Sequence, residues 1–335
     1  MNQSSNVDLL WCNETLCGIK FGENSIPLAI MYSITFAVSM TMNCLTLWPI
    51  ILQVKQRNVL GIYLLSLTIS DLLYTLTIPL WVIYYSNHHK WMLGKAGCYL
   101  AGFIFYSNIY ISILLLCCIS VDRYLAVVYP MKSQGLRQPS VAVKVSVLVF
   151  LLVFTLHLLI ICATFSDSLP DMPSSTCFEH IPLVKPVATA NYLRFSIGFL
   201  LPLLVLIVSY QRIFKGIRKS LTLQPEQKAK VKQLSVSVII IFLICFGPYH
   251  IILLFRTINF SLMTCTCHFE RKILLYFNIS LALSSLNSAV DPILYVLVSD
   301  NAKKDLRKTF TKLRYTGFRK KLSSGPPTFL TKNTV

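Results

Sequence analysis

The stretch Cys98–Tyr129, CYLAGFIFYSNIYISILLLCCISVDRYLAVVY, decides the fold. It is long and mostly apolar. At about 1.5 Å per residue a helix of this length crosses a hydrocarbon core of about 30 Å with length to spare. Adjacent opposite charges, Asp122 and Arg123, stand near its far end. Charges beside a spanning segment are costly unless they lie at the interface or face the bundle, so they mark function. Asn108 and Ser112 are four residues apart, and Ser112 lies eleven residues before Arg123, about three helical turns. The helix therefore carries a polar track from one membrane face to the other.

The rest of the chain repeats the pattern. Of its 335 residues, 55% are hydrophobic and 13% charged, against about 25% charged in an ordinary soluble domain. The apolar residues come in blocks rather than amphipathic stripes, which excludes a large apolar soluble protein. Seven such runs cover 26–52, 60–86, 97–129, 141–164, 190–217, 231–257 and 273–297. The sequence predicts an all-α membrane protein, a seven-transmembrane helix bundle with a short amphipathic helix after the seventh span.

Charge sets the orientation. The net charge is +18, and it concentrates between Arg212 and Lys232 and between Lys303 and Lys321. Such a distribution is the positive-inside pattern facing anionic lipid, and it excludes nucleic acid as the partner. Residues 1–25 are polar and carry acceptor sequons at Asn2 and Asn13, which predicts an extracellular glycosylated N-terminus. They lack the basic start and apolar core of a cleavable signal peptide, so the first span is expected to serve as the insertion signal. The bundle occupies 26–299. Over 300–311, Asp300 caps an amphipathic helix with Leu306 and Phe310 on one face, expected to lie on the inner membrane surface. Residues 312–335 read as a disordered cytoplasmic tail with phosphorylation sites.

Of eleven cysteines, Cys44, Cys117, Cys118, Cys162 and Cys245 lie in apolar runs and read as small core residues. Cys12, Cys17, Cys98, Cys177, Cys265 and Cys267 lie in polar segments or at helix ends, which suits disulfides in an oxidising compartment. No internal repeat points to a transporter. No catalytic Ser/His/Asp order or transition-metal spacing is present, so the chain reads as no enzyme.

Two carboxylates, Asp71 and Asp291, fall inside apolar spans. One reading is a hydrogen-bonded pair holding helices together. The other is a site where a proton or a cation relieves the repulsion between two buried charges. Arg194 stands eight residues before Pro202 on the outer half of the fifth span. It either snorkels to the interface or anchors a ligand carboxylate or phosphate through a charge-assisted contact. Arg256, near the outer end of the sixth span, joins the candidate ligand-binding residues as a solvated charge at the rim. Phe105, Tyr106, Tyr110, Tyr249 and His250 are expected to line a cavity beside Arg194, apolar with one cationic end, which suits an amphiphilic acid. Among the six histidines, His88, His89, His180, His250 and His268 are placed on the outer side or in that cavity, and His157 is not. Histidine titrates near physiological pH, so a proton input is open to this chain.

Seven spans with Asp122-Arg123-Tyr124 at the inner end of the third resemble a rhodopsin-like (class A) G-protein-coupled receptor. Asn43, Leu67-Thr68-Ile69-Ser70-Asp71, Trp91-Met92-Leu93-Gly94, Pro202 with Tyr210, Cys245-Phe246-Gly247-Pro248 and Asp291-Pro292-Ile293-Leu294-Tyr295 follow in the family's order. Leu80-Trp81-Val82-Ile83-Tyr84, Leu116-Cys117-Cys118-Ile119-Ser120 and the run Gln227–Lys232 make the chain most similar to the proton-sensing and lysolipid-linked group. The resemblance implies an anionic lipid-like ligand, such as an oxidised fatty acid, an N-acyl amino acid or a lysolipid. Its partners would be heterotrimeric G proteins, arrestin after tail phosphorylation, and the plasma membrane. It implies disulfides Cys98–Cys177 and Cys17–Cys267, with Cys12–Cys265 as a parallel bridge. It gathers Asp71, Asn108, Ser112, Asn287, Ser288 and Asp291 into a sodium pocket, with no other cofactor. It makes Asp122, Arg123, Tyr124, Tyr210, Phe246, Pro248 and Tyr295 the coupling and activation set.

The departures are informative. Phe150 replaces the family's tryptophan, and Val153 stands where acid-sensing relatives have a buried carboxylic acid. Lys228 occupies a position where some receptors place an acid to hold the arginine of the third span. A retinal photoprotein is excluded, because the seventh span has no internal lysine and Lys272 lies at its outer edge. A mainly proton-sensing receptor, or a nucleotide or peptide receptor of the same fold, stays open as an alternative.

Overall fold

The computed structural model describes residues 17, 19, 25–166, 176–177, 181–220, 224–263 and 265–298. The expected glycosylation sites Asn2 and Asn13, Cys12, His180, the 300–311 helix and the 312–335 tail lie outside the described residues. Seven helices are long and apolar enough to cross a membrane: α1 Ser25–Lys55, α2 Val59–Ser86, α3 Gly94–Val128, α4 Pro139–Cys162, α5 Lys185–Lys219, α6 Pro225–Leu262 and α7 Cys267–Val296. Most run several residues beyond the apolar blocks of the sequence. The blocks mark the hydrocarbon crossing, and the backbone ladder continues into polar flanks such as Lys215 to Lys219 and Pro225 to Lys230. Local chemistry sets the starts. Asn58 Oδ1 accepts from the Leu60 N–H at 3.0 Å and caps α2. Pro225 begins α6, while Gln227 Oε1 accepts from the Gln224 N–H at 3.2 Å.

Four spans depart from a continuous α-helix, and α2 does so between Val59–Thr75 and Ile78–Ser86, just before Pro79. Helix α5 contains a π-turn at Ser196–Leu200 just before Pro202, and α6 one at Phe242–Phe246 just before Pro248. Proline removes a backbone donor and collides with the preceding turn, and a wider turn absorbs both. Helix α7 breaks at Leu286, between Cys267–Ser285 and Asn287–Val298. That break lies beside the buried polar residues Ser284, Ser285, Asn287 and Ser288.

Helix α3 is central and packs against α2, α4, α5 and α6. In its most apolar window 78% of residues are buried, against 22% for α4 and for α5, which lie at the periphery. The interior combines an apolar core with a set of buried polar side chains, while the outer surface is apolar. Asn43, Asp71, Asn108, Ser112, Asn287 and Asp291 are buried, while Ile30, Ile34, Leu148, Leu151, Leu204 and Ile244 are exposed. Lipid tails are as apolar as leucine, so small polar residues hold membrane helices together by hydrogen bonds and close packing. Many buried hydroxyls bond their own helix, as Thr35 Oγ1 donates to the Met31 carbonyl at 2.8 Å. Others cross between helices, as Ser284 Oγ donates to the Cys245 carbonyl at 2.9 Å.

Among the described residues two disulfides tie the end of the bundle that carries Cys17, called the outer end. Cys98 is bonded to Cys177, with Cα atoms 5.6 Å apart. Cys17 is bonded to Cys267, with Cα atoms 5.2 Å apart, and Arg271 Nε donates to the Cys17 carbonyl at 2.6 Å. Cys265 is also disulfide-bonded.

Candidate functional site

A cavity opens among the outer halves of α3 to α7. Helix α3 gives it Tyr99, Gly102, Phe103 and Tyr106, one face at i, i+3, i+4 and i+7. Arg194 lines it from α5. Its guanidinium carbon lies 4.9 Å from the centre of the Tyr106 ring, and Nη1 donates to Asn191 Oδ1 at 3.2 Å. Its Nε is buried without a hydrogen-bond partner. Arg194 has no ion pair among the described residues. The cavity thus holds a cation over an aromatic face, committed to one neutral amide.

Four expectations about this site are corrected. Arg256 is no solvated rim charge. It is 6% exposed and pairs with Glu270, 1% exposed, at 2.8 Å from Nη2 and 2.9 Å from Nε. Its guanidinium also lies 4.4 Å from the centre of the Phe277 ring. The end of a span reads as exposed in sequence, but here α7 folds Glu270 over it. Phe105 faces away from Arg194, because one residue turns a helix by about 100°. It lines a second, smaller cavity, with Tyr32, Trp81, Tyr84, Tyr85 and Asn278. Tyr110 and His250 form a layer near the large cavity rather than its lining. His250 stacks on Phe199 at 4.5 Å and meets Tyr110 edge-on at 5.7 Å. The Tyr110 ring seats against Gly198 so closely that a Cβ there would lie 2.5 Å from it. Finally, His157 lines the cavity. A lone histidine in a uniformly apolar span has no patterned face to say which way it points.

Below the cavity lies a polar core. Asn108 Nδ2 donates to Asp71 Oδ1 at 3.0 Å and to Ser70 Oγ at 3.1 Å. Asn287 Nδ2 donates to Ser112 Oγ at 2.9 Å. Asn43 Nδ2 donates to the Ser288 carbonyl at 2.7 Å, and Ser39 meets Thr75 at 2.6 Å. Several buried oxygens stay without partners: Asp71 Oδ2, both carboxylate oxygens of Asp291, and Asn287 Oδ1. Buried acceptors left unpaired are costly. Hard oxygen donors of net negative charge fit a small monovalent cation or a shared proton. The Ser288 hydroxyl turns back to the Ser285 carbonyl at 2.9 Å, so this residue meets α1 through its backbone.

At the inner end Arg123 is ion-paired with Asp122 through Nη2, and its Nε donates to the same oxygen at 2.9 Å. The other Asp122 oxygen accepts from Arg137 Nε at 2.9 Å. This arginine lies fifteen residues away and was not among the expected partners. Tyr124 packs edge-on against Tyr129 at 5.7 Å. The Tyr210 hydroxyl is bonded to Ser120 Oγ. Lys228 donates to the Ser220 carbonyl at 2.7 Å and takes no part in an ionic latch. Phe246 and Tyr295 are buried, and Phe246 meets Phe242 edge-on at 5.8 Å. Phe242 stacks on Phe199 at 5.3 Å, and Phe199 stacks on His250. A file of rings therefore joins the cavity region to the hinge before Pro248.

These features define a seven-span receptor. Residues 42–295 match the model of the 7 transmembrane receptor (rhodopsin family), and the chain belongs to that family. It is similar to the mouse protein named probable G-protein coupled receptor 132, at 42% identity over 301 residues, 88% of this chain and 76% of that one. It is also similar to mouse G-protein coupled receptor 68, at 39% identity over 83% of this chain and 75% of that one. Human G-protein coupled receptor 65 is 34% identical over 83% of this chain and 84% of that one. The family consists of membrane receptors that couple to G proteins, not of enzymes.

Proposed function

We propose that this receptor binds an anionic lipid-like ligand in the outer cavity, with Arg194 as the anchor of its acid group. The observation that carries this reading is a cavity-lining guanidinium with no carboxylate partner among the described residues and with a buried Nε still free to donate. Arginine cannot shed its charge. In a low-dielectric wall an incoming carboxylate gains two parallel charge-assisted hydrogen bonds that water no longer competes for. Arg256 lines the same cavity, but Glu270 already neutralises it. The acyl portion would bury against Phe103, Tyr106, Leu253 and Phe277, at roughly 25 cal/mol per Å² of apolar surface. The Asp71–Asp291 core would hold a sodium ion or a proton, Asp71, Asp291 and Asn287 supplying oxygens. Ion or proton would favour the arrangement in which Arg123 rests on Asp122. Ligand binding would act through the ring file His250, Phe199, Phe242 and Phe246, and it shifts the equilibrium only as far as its affinities for the two states differ. The receptor would sit in the plasma membrane with its N-terminus outside and would meet arrestin through a phosphorylated tail. The test is a dose–response comparison in cells of long-chain acids and their neutral amides or methyl esters. The acids should be active, and the neutral analogues weaker by about a hundredfold, as expected for loss of a charged contact in a dry site.

A further inference from the structure

The anchor leaves one cavity-lining group unexplained. His157 of α4 is 6% exposed and lines the cavity that holds Arg194. Its Nδ1 lies 3.0 Å from the Val153 carbonyl oxygen, one turn earlier in the same helix. A carbonyl oxygen only accepts, so the Nδ1 atom carries the hydrogen. In the neutral ring Nε2 then carries the lone pair and only accepts. Nε2 is buried and has no hydrogen-bond partner. Packing fixes the ring: it lies nearly parallel to Tyr106 at 6.5 Å, tilted by 12°, and against Tyr110 at 5.4 Å. The Arg194 guanidinium stands over that same Tyr106 ring. A cation and a directed acceptor therefore flank one aromatic side chain.

We propose that His157 is a specificity-determining residue that accepts a hydrogen bond from an O–H or N–H of the ligand. On this assignment the receptor selects acids that carry such a donor close to the carboxylate over otherwise identical acids that lack it. The inference rests on the reading of Arg194 as the acid anchor. The physical reason for selection is that Nε2 is already buried without a partner before the ligand arrives: a ligand with a donor satisfies it, and a ligand without one forgoes that bond.

The test uses two matched ligand pairs on the full-length receptor, with potency read at matched surface expression. One pair is a long-chain N-acylglycine and its N-methyl counterpart. The other is a 3-hydroxy fatty acid and its 3-methoxy ether. Wild-type receptor should prefer the donor-bearing member of at least one pair by about tenfold, and the preferred pair tells whether the donor is N–H or O–H. His157→Phe keeps the ring stack and removes Nε2, so the preference should fall to near unity. His157→Leu serves as the second variant if the first fails to reach the surface. Equal potencies on wild type for both pairs, a preference for the methylated members, or a preference that survives in both variants would each overturn the proposal. Both members of a pair keep the same carboxylate, so a normal response of Arg194→Ala to every acid would instead remove the anchor reading.

Discussion

Arg137 donates to Asp122 across fifteen residues at 2.9 Å, on the carboxylate oxygen that Arg123 leaves open. The Asp122 carboxylate thus sits between two guanidiniums. One belongs to its own helix and one to the loop before α4. On the proposed mechanism Arg123 leaves Asp122 on coupling, so a second arginine on the same carboxylate biases the equilibrium. Removing Arg137 leaves Asp122 better disposed to hold Arg123 alone, but it also unties the loop from α3.

Loss of the competing guanidinium is the effect expected to dominate, because the Asp122 carboxylate is buried and is then left to Arg123 alone. A partly exposed pair is worth about 1 kcal/mol or less. Arg137→Ala should therefore lower ligand-free G-protein activation by a few-fold in a nucleotide-exchange assay. An unchanged or raised basal rate would show that Arg137 does not compete with Arg123 for this carboxylate.

The Arg256–Glu270 pair makes a stability prediction. Removing one partner of a buried pair leaves an uncompensated charge and costs about 3–5 kcal/mol. Glu270→Ala should lower the melting temperature of purified receptor by several degrees, roughly, and reduce surface expression. Replacing both partners with apolar residues of similar volume should recover much of that loss. A double variant as unstable as the single one would place the cost in packing rather than in the stranded charge.

Gly198 makes a packing prediction. A Cβ at this position would lie 2.5 Å from Tyr110 Cε1 and 3.0 Å from Cδ1. Gly198→Ala should destabilise by about 1–3 kcal/mol through overpacking. Combining it with Tyr110→Leu should relieve the clash. Thermal unfolding of the four proteins in the cycle measures the coupling, and simple additivity would contradict this seating of the ring.

The polar core makes an ionic prediction. On the proposed reading that the ion favours the resting arrangement, agonist binding to the wild-type receptor should weaken when sodium replaces a bulky organic cation at constant ionic strength. Asp71→Asn should abolish that dependence. Insensitivity of the wild type to both sodium and pH would make the core a hydrogen-bond network alone.

The spans were legible because a membrane demands uninterrupted apolar runs, and the order of Asp122-Arg123, Pro202, Pro248 and Asp291-Pro292 located them. The depth of Arg194 was legible from its distance to Pro202. What failed was azimuth. Phe103 and Phe105 differ by two residues in an apolar helix, and only packing tells which one faces the ligand cavity. Pairing across helices failed as well. Glu270 meets Arg256 only once α6 and α7 are side by side, and Arg137 meets Asp122 only once the inner loop folds back. The lone His157 carried no periodic signal at all, since its neighbours in α4 are almost uniformly apolar.

The most direct measurement of the central claim is the potency of a long-chain carboxylic acid on wild type, Arg194→Lys and Arg194→Ala at matched surface expression. The guanidinium holds a carboxylate with a planar fork that an ammonium lacks. Potency should therefore fall by about tenfold in the lysine variant and by a hundredfold or more, roughly, in the alanine variant. The neutral methyl ester, weak on wild type, should lose little further. An alanine variant that answers the acid with wild-type potency would contradict the account.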